Sequence, residues 1–394
     1  MTVGGILAFV FAVAIYLPVT LLAPIHSVDA LTASVRIPKT ATTVLSMPSY
    51  GASAISAVGY PGVLATGGSA APLPMASITK IVTSLVVLEK RPLAVGKPGP
   101  SIQFTSADEA IRRAYLARRG DVYPIRVGGA MSQRDVLTVA LVASANNYAR
   151  ALADWAYGSE ERFLPVANAW LKEHGMNSTV LTDSTGLNPA NRSTPSDLIV
   201  LGKLALADPL VSRIIAIRHV RLPVVGLIDN TNKLLGIQGI TGIKTGTLDH
   251  FGASLLFASS ISVGGQKITL IGVILDGPTH PTIDKQIRRL IGSVKSGFSS
   301  VTLSKIGQKF GSYSTVWGSK ASVIATRNES VVVWGGTPVQ ASVETSPIGI
   351  AQRGKVVGTA VFTVSGRTIT VPLTLSKTVA DPGPWWRLTH PGKL

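Results

Sequence analysis

The chain has 394 residues, 46% of them hydrophobic, which predicts two domains with additional segments and excludes extended disorder, since a domain commonly takes about 150 residues. It contains no cysteine, which excludes disulfides, a cysteine nucleophile and a thiolate-bound metal. The net charge of +17 favours anionic surroundings, and because the basic residues are scattered, nucleic acid is a weaker candidate than acidic lipid or anionic wall polymer.

The first predicted element is an apolar N-terminal helix. The chain carries no charged residue from Val3 to Ile25, and about 20 apolar residues suffice to cross a bilayer. Residues 1–30 are therefore predicted to be an export signal or a membrane anchor. The length favours an uncleaved anchor, whereas Val28 and Ala30 supply the small residues that precede a signal-peptidase site. Residues 31–42, a mixture of Pro, Thr, Ser and Ala, are predicted to be a linker.

Short β-like segments from residue 43 onwards lead to a predicted buried helix that carries Ser77 and Lys80 at its N-terminal end. Pro74 suits the first turn, because its missing N–H would have no intrahelical partner there. Residues three apart on a helix share a face, so the Lys80 amine can take the proton of the Ser77 hydroxyl and create a nucleophile without histidine. Such a pair also occurs by chance on solvated surfaces, so further motifs are needed.

A group of helices is predicted next. Ser132 and Asp135 match a capping box that starts one helix, and a second helix is predicted to end at Tyr157. Ser144 and Asn146 then lie at the bend between the two helices, a position from which side chains can point into a cleft.

Later segments complete the predicted first domain. Helices lying between early and late strands predict an α+β domain with an antiparallel sheet. The segments are a loop at 183–189, a helix opened by 193–197, strands at 240–247, 253–258 and 267–275, and a closing helix at 283–294.

The residue pattern of the sequence changes after about Ser299. Short alternating apolar and polar runs with Gly and Pro turns predict a small all-β domain over residues 299–380. Its last two strands are predicted to form a hairpin around Gly366. Residues 381–394 are predicted to be a C-terminal tail, which contains Trp385 and Trp386.

Three spaced motifs carry a family resemblance. Together they resemble the penicillin-recognising serine enzymes, and the flanking residues narrow the resemblance to the low-molecular-weight D-alanyl-D-alanine carboxypeptidases, penicillin-binding proteins of the serine peptidase S11 type. The resemblance covers residues 43–298 and implies a β-lactamase/transpeptidase-like catalytic domain, followed by a membrane-proximal β-domain as in many members. The motifs are Ser77-Ile78-Thr79-Lys80, Ser144-Ala145-Asn146 and Lys244-Thr245-Gly246.

The first motif is expected to supply the nucleophile and its base, and the third to bind the charged end of the substrate. Ser77 is expected to attack an amide carbonyl after Lys80 withdraws its proton, which requires Lys80 to be neutral in a dry site beside another positive charge. Lys244 is that neighbour. Its charge, with help from Thr245, is expected to bind the substrate's terminal carboxylate.

The remaining site residues follow from the resemblance. Ser144 is expected to relay a proton to the leaving D-alanine nitrogen, and Asn146 to position the acyl side by hydrogen bonding. The backbone N–H groups of Ser77 and Thr247 are expected to form the oxyanion hole. Gly246 is expected to leave room for the substrate along the strand.

The predicted protein is a serine D-Ala-D-Ala carboxypeptidase of the bacterial cell envelope, attached to the membrane on its extracytoplasmic face. It is expected to trim the terminal D-alanine of peptidoglycan pentapeptide stems through an acyl-enzyme on Ser77 and to be acylated by β-lactams. Two alternatives stay open: a D,D-endopeptidase that cuts peptide cross-links with the same residues, and a weakly catalytic protein that binds penicillin or the cell wall.

Other classes are set aside. A class A β-lactamase needs a deacylating Glu in a Glu-x-x-Leu-Asn segment, which is absent between the second and third motifs. The six histidines show no metal-binding spacing, and the mechanism requires neither metal nor cofactor. Three residues depart from the family pattern: Asn147 stands where Asp is frequent, Leu248 where Thr is frequent and Phe251 where Ala is usual. Leu248 and Phe251 bear on the strength of carboxylate and β-lactam binding.

Overall fold

The computed structural model describes residues 3–35, 37 and 42–394. The chain divides into two compact units, one formed by Thr43–Gly297 and one that combines Met1–Thr42 with Phe298–Leu394. The helices are α1 (Val3–Leu22), α2 (Thr79–Lys90), α3 (Ser106–Ala117), α4 (Gln133–Val142), α5 (Asn146–Tyr157), α6 (Glu160–Glu173), α7 (Pro195–Ala207), α8 (Pro209–Ile215), α9 (His280–Gly297) and α10 (Pro384–Thr389).

The strands are distributed over both units. Those of the first unit are β2 (Ala52–Ala57), β3 (Ala65–Gly68), β4 (Leu73–Pro74), β5 (Ser101–Gln103), β6 (Ala130–Ser132), β7 (Arg192–Ser193), β8 (His219–Leu222), β9 (Gly226–Asp229), β10 (Ile240–Thr247), β11 (Ala253–Val263) and β12 (Gln266–Gly277). Those of the second unit are β1 (Leu31–Thr32), β13 (Phe298–Ser304), β14 (Lys309–Ser314), β15 (Lys320–Ala325), β16 (Glu329–Trp334), β17 (Val339–Thr345), β18 (Val356–Val364) and β19 (Arg367–Leu375).

The first unit has the α+β architecture predicted from the sequence. Its main sheet is antiparallel with strand order β10-β11-β12-β2-β3. Helix α2 is apolar nearly all round, and its residues 79–88 are all buried, as expected for a helix surrounded by core. Strand β10 lies at one edge of the sheet and also contacts the turn that precedes α2.

The start of the nucleophile helix differs from the prediction. Pro74 lies in strand β4, which pairs with β7, and the helical conformation begins with a 3-10 turn at Ala76–Ile78 before α2 starts at Thr79. Proline suits the edge of a short ladder because it lacks only the N–H. Ser77 therefore lies in a tight turn ahead of the α-helix.

The second unit contains a six-stranded sheet of order β1-β14-β15-β19-β18-β17 and the separate pair β13-β16. Residues 31–32, predicted as linker, form a strand whose Leu31 pairs with Ser312 and Thr32 with Gly311. A side chain at Gly311 would come within 2.9 Å of the Leu31 carbonyl oxygen, so glycine permits this pairing. Within the predicted linker, residues 36 and 38–41 lie outside the described residues.

The apolar N-terminal helix belongs to the second unit. Residues Gly4–Leu22 are long and apolar enough to cross a membrane, with a mean hydropathy of 2.4, and fit an anchor or a signal. The C-terminal tail packs against this segment, since the Tyr16 hydroxyl donates to the Leu388 carbonyl at 2.7 Å and Arg387 Nη1 donates to the Ala23 carbonyl at 2.6 Å. The tail is therefore a folded part of the unit.

Candidate active site

The Ser77 hydroxyl and the Lys80 amine lie side by side at the start of α2. Lys80 Nζ is 2.8 Å from Ser77 Oγ. The residue before the serine, Ala76, has a φ of +48°, a conformation that L-residues adopt at a cost. The turn thus holds Ser77 at the mouth of the site while α2 holds Lys80 in the core.

Lys80 is fully buried and hydrogen-bonded on three sides. Besides Ser77 Oγ, its Nζ contacts Asn146 Oδ1 at 3.0 Å and the Thr185 carbonyl oxygen at 2.8 Å. Burial lowers the pKa of Lys80 to about 7, with the charges of Asp121 and Asp183 acting in the opposite direction. A lysine with such a pKa is neutral in a substantial fraction of molecules near neutral pH, as a proton acceptor must be.

The loop 183–188 holds the carbonyl group that contacts this lysine. Asp183 Oδ1 accepts from the backbone N–H groups of Thr185 at 2.7 Å and Gly186 at 2.6 Å, which fixes the carbonyl that Lys80 contacts. Gly186 has a φ of +83°, and a Cβ there would lie 1.8 Å from the Ala76 carbonyl oxygen. Glycine therefore lets the loop pack directly beneath the serine turn.

Ser144 and Asn146 lie at the predicted bend between α4 and α5. Ser144 is 2% exposed and has a φ of +60°. The backbone N–H of Asn146 donates to the Asp121 carbonyl at 2.7 Å, and Asn146 Nδ2 is 3.5 Å from Thr185 Oγ1. The amide of Asn146 thus links the lysine on α2 to the supporting loop.

Strand β10 supplies the opposite wall. Lys244 is 1% exposed, and its Nζ contacts the carbonyl and hydroxyl oxygens of Thr245 at 3.2 and 3.3 Å. The Thr245 hydroxyl also shares a short hydrogen bond with the hydroxyl of Thr231. Burial, together with the charge of Lys80, holds the pKa of Lys244 well below its usual value. Two buried amines in one site hold a single positive charge more readily than two.

Gly246 is required by packing between β10 and the serine turn. A Cβ at this position would lie 2.9 Å from the Ala76 Cβ, 3.2 Å from the Met75 carbonyl oxygen and 3.4 Å from the Ser77 nitrogen. The structure thus provides a reason for glycine that differs from the predicted clearance for substrate. The absent side chain lets the strand edge come close to the Ser77 backbone.

Thr247 is the exposed last residue of β10. Its hydroxyl lies 2.8 Å from His280 Nε2. His280 begins α9 and is partly buried. Burial and the charge of Lys244 lower the pKa of His280, while Asp284 acts to raise it.

Two adjoining cavities open at this wall. One of about 400 Å³ contains Ser77 and Ser144, and the other, of about 410 Å³, is lined in part by the two departures Leu248 and Phe251. Thr247 lines both. A peptide lying along β10 would therefore have space on both sides of Thr247.

Asn147, the third departure from the family pattern, has a structural role. Its Oδ1 accepts from the Tyr123 N–H at 3.1 Å and its Nδ2 donates to the Tyr123 carbonyl at 3.0 Å. Asn147 is 4% exposed. An amide serves both backbone groups, whereas a carboxylate has no hydrogen to donate.

Some groups at the site were not predicted from the sequence. The Thr185 carbonyl is a backbone atom without a sequence signal, although the sequence predicts the loop at 183–189 that carries it. His280 is one of the six histidines without metal-binding spacing, and no sequence pattern indicates its place at the site. Further residues of the serine cavity that the sequence did not indicate are Asp121, Tyr123, Asp229 and Thr231.

Comparisons with known proteins identify the family of the chain. The family model described as D-alanyl-D-alanine carboxypeptidase (Peptidase S11) matches residues 55–279. The D-alanyl-D-alanine carboxypeptidase DacC of Escherichia coli is 29% identical over 342 residues, covering 82% of both chains. A D-alanyl-D-alanine endopeptidase of Pseudomonas aeruginosa is 33% identical over 200 residues, which are 48% of this chain and 60% of the relative.

Solved structures show the same fold. Penicillin-binding protein 5 of Haemophilus influenzae aligns with a TM-score of 0.59 at 18% identity, over 89% of this chain and 100% of its own. A variant of the Streptomyces K15 DD-transpeptidase aligns with a TM-score of 0.56 at 22% identity, over 63% of this chain and 98% of its own. The fraction of this chain that the second alignment covers is similar to the fraction that forms the first unit.

Proposed function

The chain belongs to the D-alanyl-D-alanine carboxypeptidase family, peptidase S11, and from this premise we propose how its residues divide the reaction. It is a serine D-Ala-D-Ala carboxypeptidase, a hydrolase with a penicillin-binding fold. The observation that carries the proposed mechanism is the 2.8 Å contact between Lys80 Nζ and Ser77 Oγ. That contact provides a direct path for the proton that a serine must lose before it attacks.

In the first step, neutral Lys80 takes the Ser77 proton while the oxygen attacks the carbonyl between the two D-alanines. The developing oxyanion is stabilised by the backbone N–H groups of Ser77 and Thr247. The contact distances of Gly246 support this arrangement, because they bring the end of β10 close to the Ser77 nitrogen.

In the second step, the C–N bond breaks and the terminal D-alanine leaves with a proton on its nitrogen. Ser144 relays this proton from Lys80, which it can do because it lines the same cavity as Ser77. Asn146 holds the acyl part of the substrate. Water then attacks the ester on Ser77, and its proton returns through Lys80, which regenerates the free serine.

Lys244 and Thr245 bind the terminal carboxylate of the substrate in this proposal. Lys244 contacts the Thr245 hydroxyl at 3.3 Å, so charge and hydroxyl are presented together. A bound carboxylate also compensates the buried charge of Lys244 and so favours its ammonium form.

We further propose that the enzyme remains attached to the extracytoplasmic face of the plasma membrane by α1 and acts on peptidoglycan pentapeptide stems. Retention of the N-terminal segment is supported by its contacts inside the second unit. Val28 and Ile348 exchange backbone hydrogen bonds at 2.8 and 3.0 Å, and Arg387 contacts the Ala23 carbonyl. Cleavage after Ala30 would remove these contacts. β-Lactams are proposed to acylate Ser77 as mimics of D-Ala-D-Ala.

The deciding experiment measures D-alanine release by the full chain in detergent, from a peptide that ends in D-Ala-D-Ala. Release is expected from the wild type and is expected to vanish in Ser77→Ala. A matched control is Ser84→Ala, since Ser84 lies on α2 and, among the described residues, its buried hydroxyl lacks a hydrogen-bond partner. Release that persists in folded Ser77→Ala would refute the assignment of the nucleophile.

The endopeptidase activity is kept as a second candidate because the relative of 33% identity is described as an endopeptidase. Both activities use the same site residues. Cross-linked muropeptides offered beside pentapeptides distinguish them, since the faster substrate identifies the preferred reaction. A protein that is acylated by penicillin but hydrolyses neither substrate would instead be a binding protein.

A further inference from the structure

Thr247 and His280 form a pair at the edge of the serine cavity. They come from β10 and the first position of α9, and their side chains meet at 2.8 Å. Thr245 and Thr247 are two residues apart on one strand, so their side chains lie on the same face. Both threonines and His280 line the cavity that contains Ser77. The histidine therefore contacts a hydroxyl next to the proposed carboxylate-binding pair.

We propose that His280 is a positioning residue that makes the Thr247 hydroxyl a hydrogen-bond donor toward the substrate and thereby favours substrates with a free terminal carboxylate. This inference rests on the proposed binding of that carboxylate by Lys244 and Thr245. It adds a selectivity element from outside the three motifs, on a helix that the motifs do not include.

The chemistry follows from the single hydrogen of a hydroxyl group. When His280 Nε2 carries a hydrogen, it donates to Thr247 Oγ1, and the threonine hydrogen is free to point at a carboxylate oxygen. When Nε2 is bare, the threonine must donate to the imidazole, and only its lone pairs remain for the substrate. Lone pairs repel a carboxylate. The proton position on His280 thus decides whether Thr247 attracts or repels the substrate terminus.

The charges around His280 act in both directions. Asp284 on the same helix favours a protonated ring, while Lys244 on β10 disfavours it. Across the cavity lie Asp121, Asp229, Lys233 and Tyr123. Because burial also lowers the pKa of His280, the ring is neutral at neutral pH, and donation to Thr247 requires the tautomer with hydrogen on Nε2.

The test compares two peptides that differ only in ending as D-Ala-D-Ala acid or as its terminal amide. We expect the wild type to prefer the acid, measured as the ratio of the two kcat/KM values. His280→Leu removes the partner that orients the Thr247 hydroxyl toward the substrate but leaves the hydroxyl itself. The ratio is therefore expected to fall about threefold, mainly through KM for the acid, since a single neutral hydrogen bond contributes about that much. His280→Gln retains an N–H donor and is expected to restore most of the ratio.

His174→Leu is the matched control, because the His174 ring contacts the Trp170 ring at the end of α6 and lines neither site cavity. It should leave the ratio unchanged. An unchanged ratio in folded His280→Leu would overturn the inference even if overall activity fell, because a merely structural role affects both peptides alike. An equal loss in His280→Gln would overturn it as well.

The outcome for the proposed function is separate. If the wild type releases D-alanine and only the His280 variants fail to change selectivity, the carboxypeptidase mechanism stands and the inference falls. If the wild type hydrolyses neither peptide, the proposed function falls, and acylation by a β-lactam acid and by its methyl ester supplies the same ratio. That ratio then supports or overturns the role of His280 independently of hydrolysis.

Discussion

Gly246→Ala provides a direct test of how β10 is held against the serine turn. The added methyl group would lie 2.9 Å from the Ala76 Cβ, and carbon atoms prefer separations of about 3.5–4.0 Å, so one side must move by about 0.6–1 Å. Overpacking of this kind costs about 1–3 kcal/mol. A misplacement of about 1 Å near the reacting atoms lowers the rate about 100-fold.

The assay combines thermal unfolding with kcat/KM for D-alanine release. Gly246→Ala is expected to lower the melting temperature by about 2–4 °C per kcal/mol and to reduce kcat/KM about 100-fold. In the double variant Ala76→Gly, Gly246→Ala, the clashing methyl group is gone, and glycine adopts the positive φ of residue 76 without strain. Both quantities are expected to recover in part, because the contacts with Met75 and Ser77 remain.

The alternative explanation predicts a different pattern. If Gly246 only leaves space for substrate, the single variant melts like the wild type, and Ala76→Gly does not rescue activity. Either result would refute the packing argument. Wild-type activity and stability in Gly246→Ala would refute both explanations.

Three further predictions concern charge and hydrogen bonding. Because the pKa of Lys80 is about 7 and its neutral form is the base, kcat/KM should rise with pH through about 7 and fall about tenfold per unit below it; a flat profile from pH 5 to 8 would contradict this. Asn147→Asp should lower the free energy of unfolding by about 1–3 kcal/mol, because the Tyr123 carbonyl loses its donor. Denaturant unfolding should show a smaller loss at acid pH, where the carboxyl group is protonated and can donate again. Equal losses at neutral and acid pH would contradict this explanation. The net charge of +17 should retain the protein on purified cell wall at low salt and release it at about 1 M salt, where the Debye length is about 3 Å; retention at high salt would point to non-ionic binding.

The parts of the site that the sequence predicts are those set by local geometry. Ser77 and Lys80 lie three residues apart at a helix start, and the bend that carries Ser144 follows from two adjacent helix patterns. Their identity as a set came from motif spacing within a known family, and the fold predicted from it is confirmed. Their individual roles remain predictions that the proposed variants test.

The parts that could not be predicted depend on tertiary contacts. His280 contacts Thr247 because α9 begins next to the end of β10. No pattern along the chain predicts that these two ends lie close together. Strand β1 has two residues, and its pairing depends on the missing side chain of Gly311, far along the chain. Pro74 has the propensity to start a helix, but pairing with β7 outweighs it. Whether a residue's local propensity is realised depends on tertiary contacts that the linear sequence does not show.

The pairing of β1 with β14 also bears on the order in which the protein can fold. Leu31 is synthesised before the whole first unit, whereas its partner Ser312 follows that unit. The first unit is thus an insertion between two halves of the second, and it can form while β1 still waits for a partner. During that interval β1 has no partner strand, so the second unit can be completed only after β14 is synthesised. A chain truncated before β14 would leave β1 unpaired and open to association with other chains.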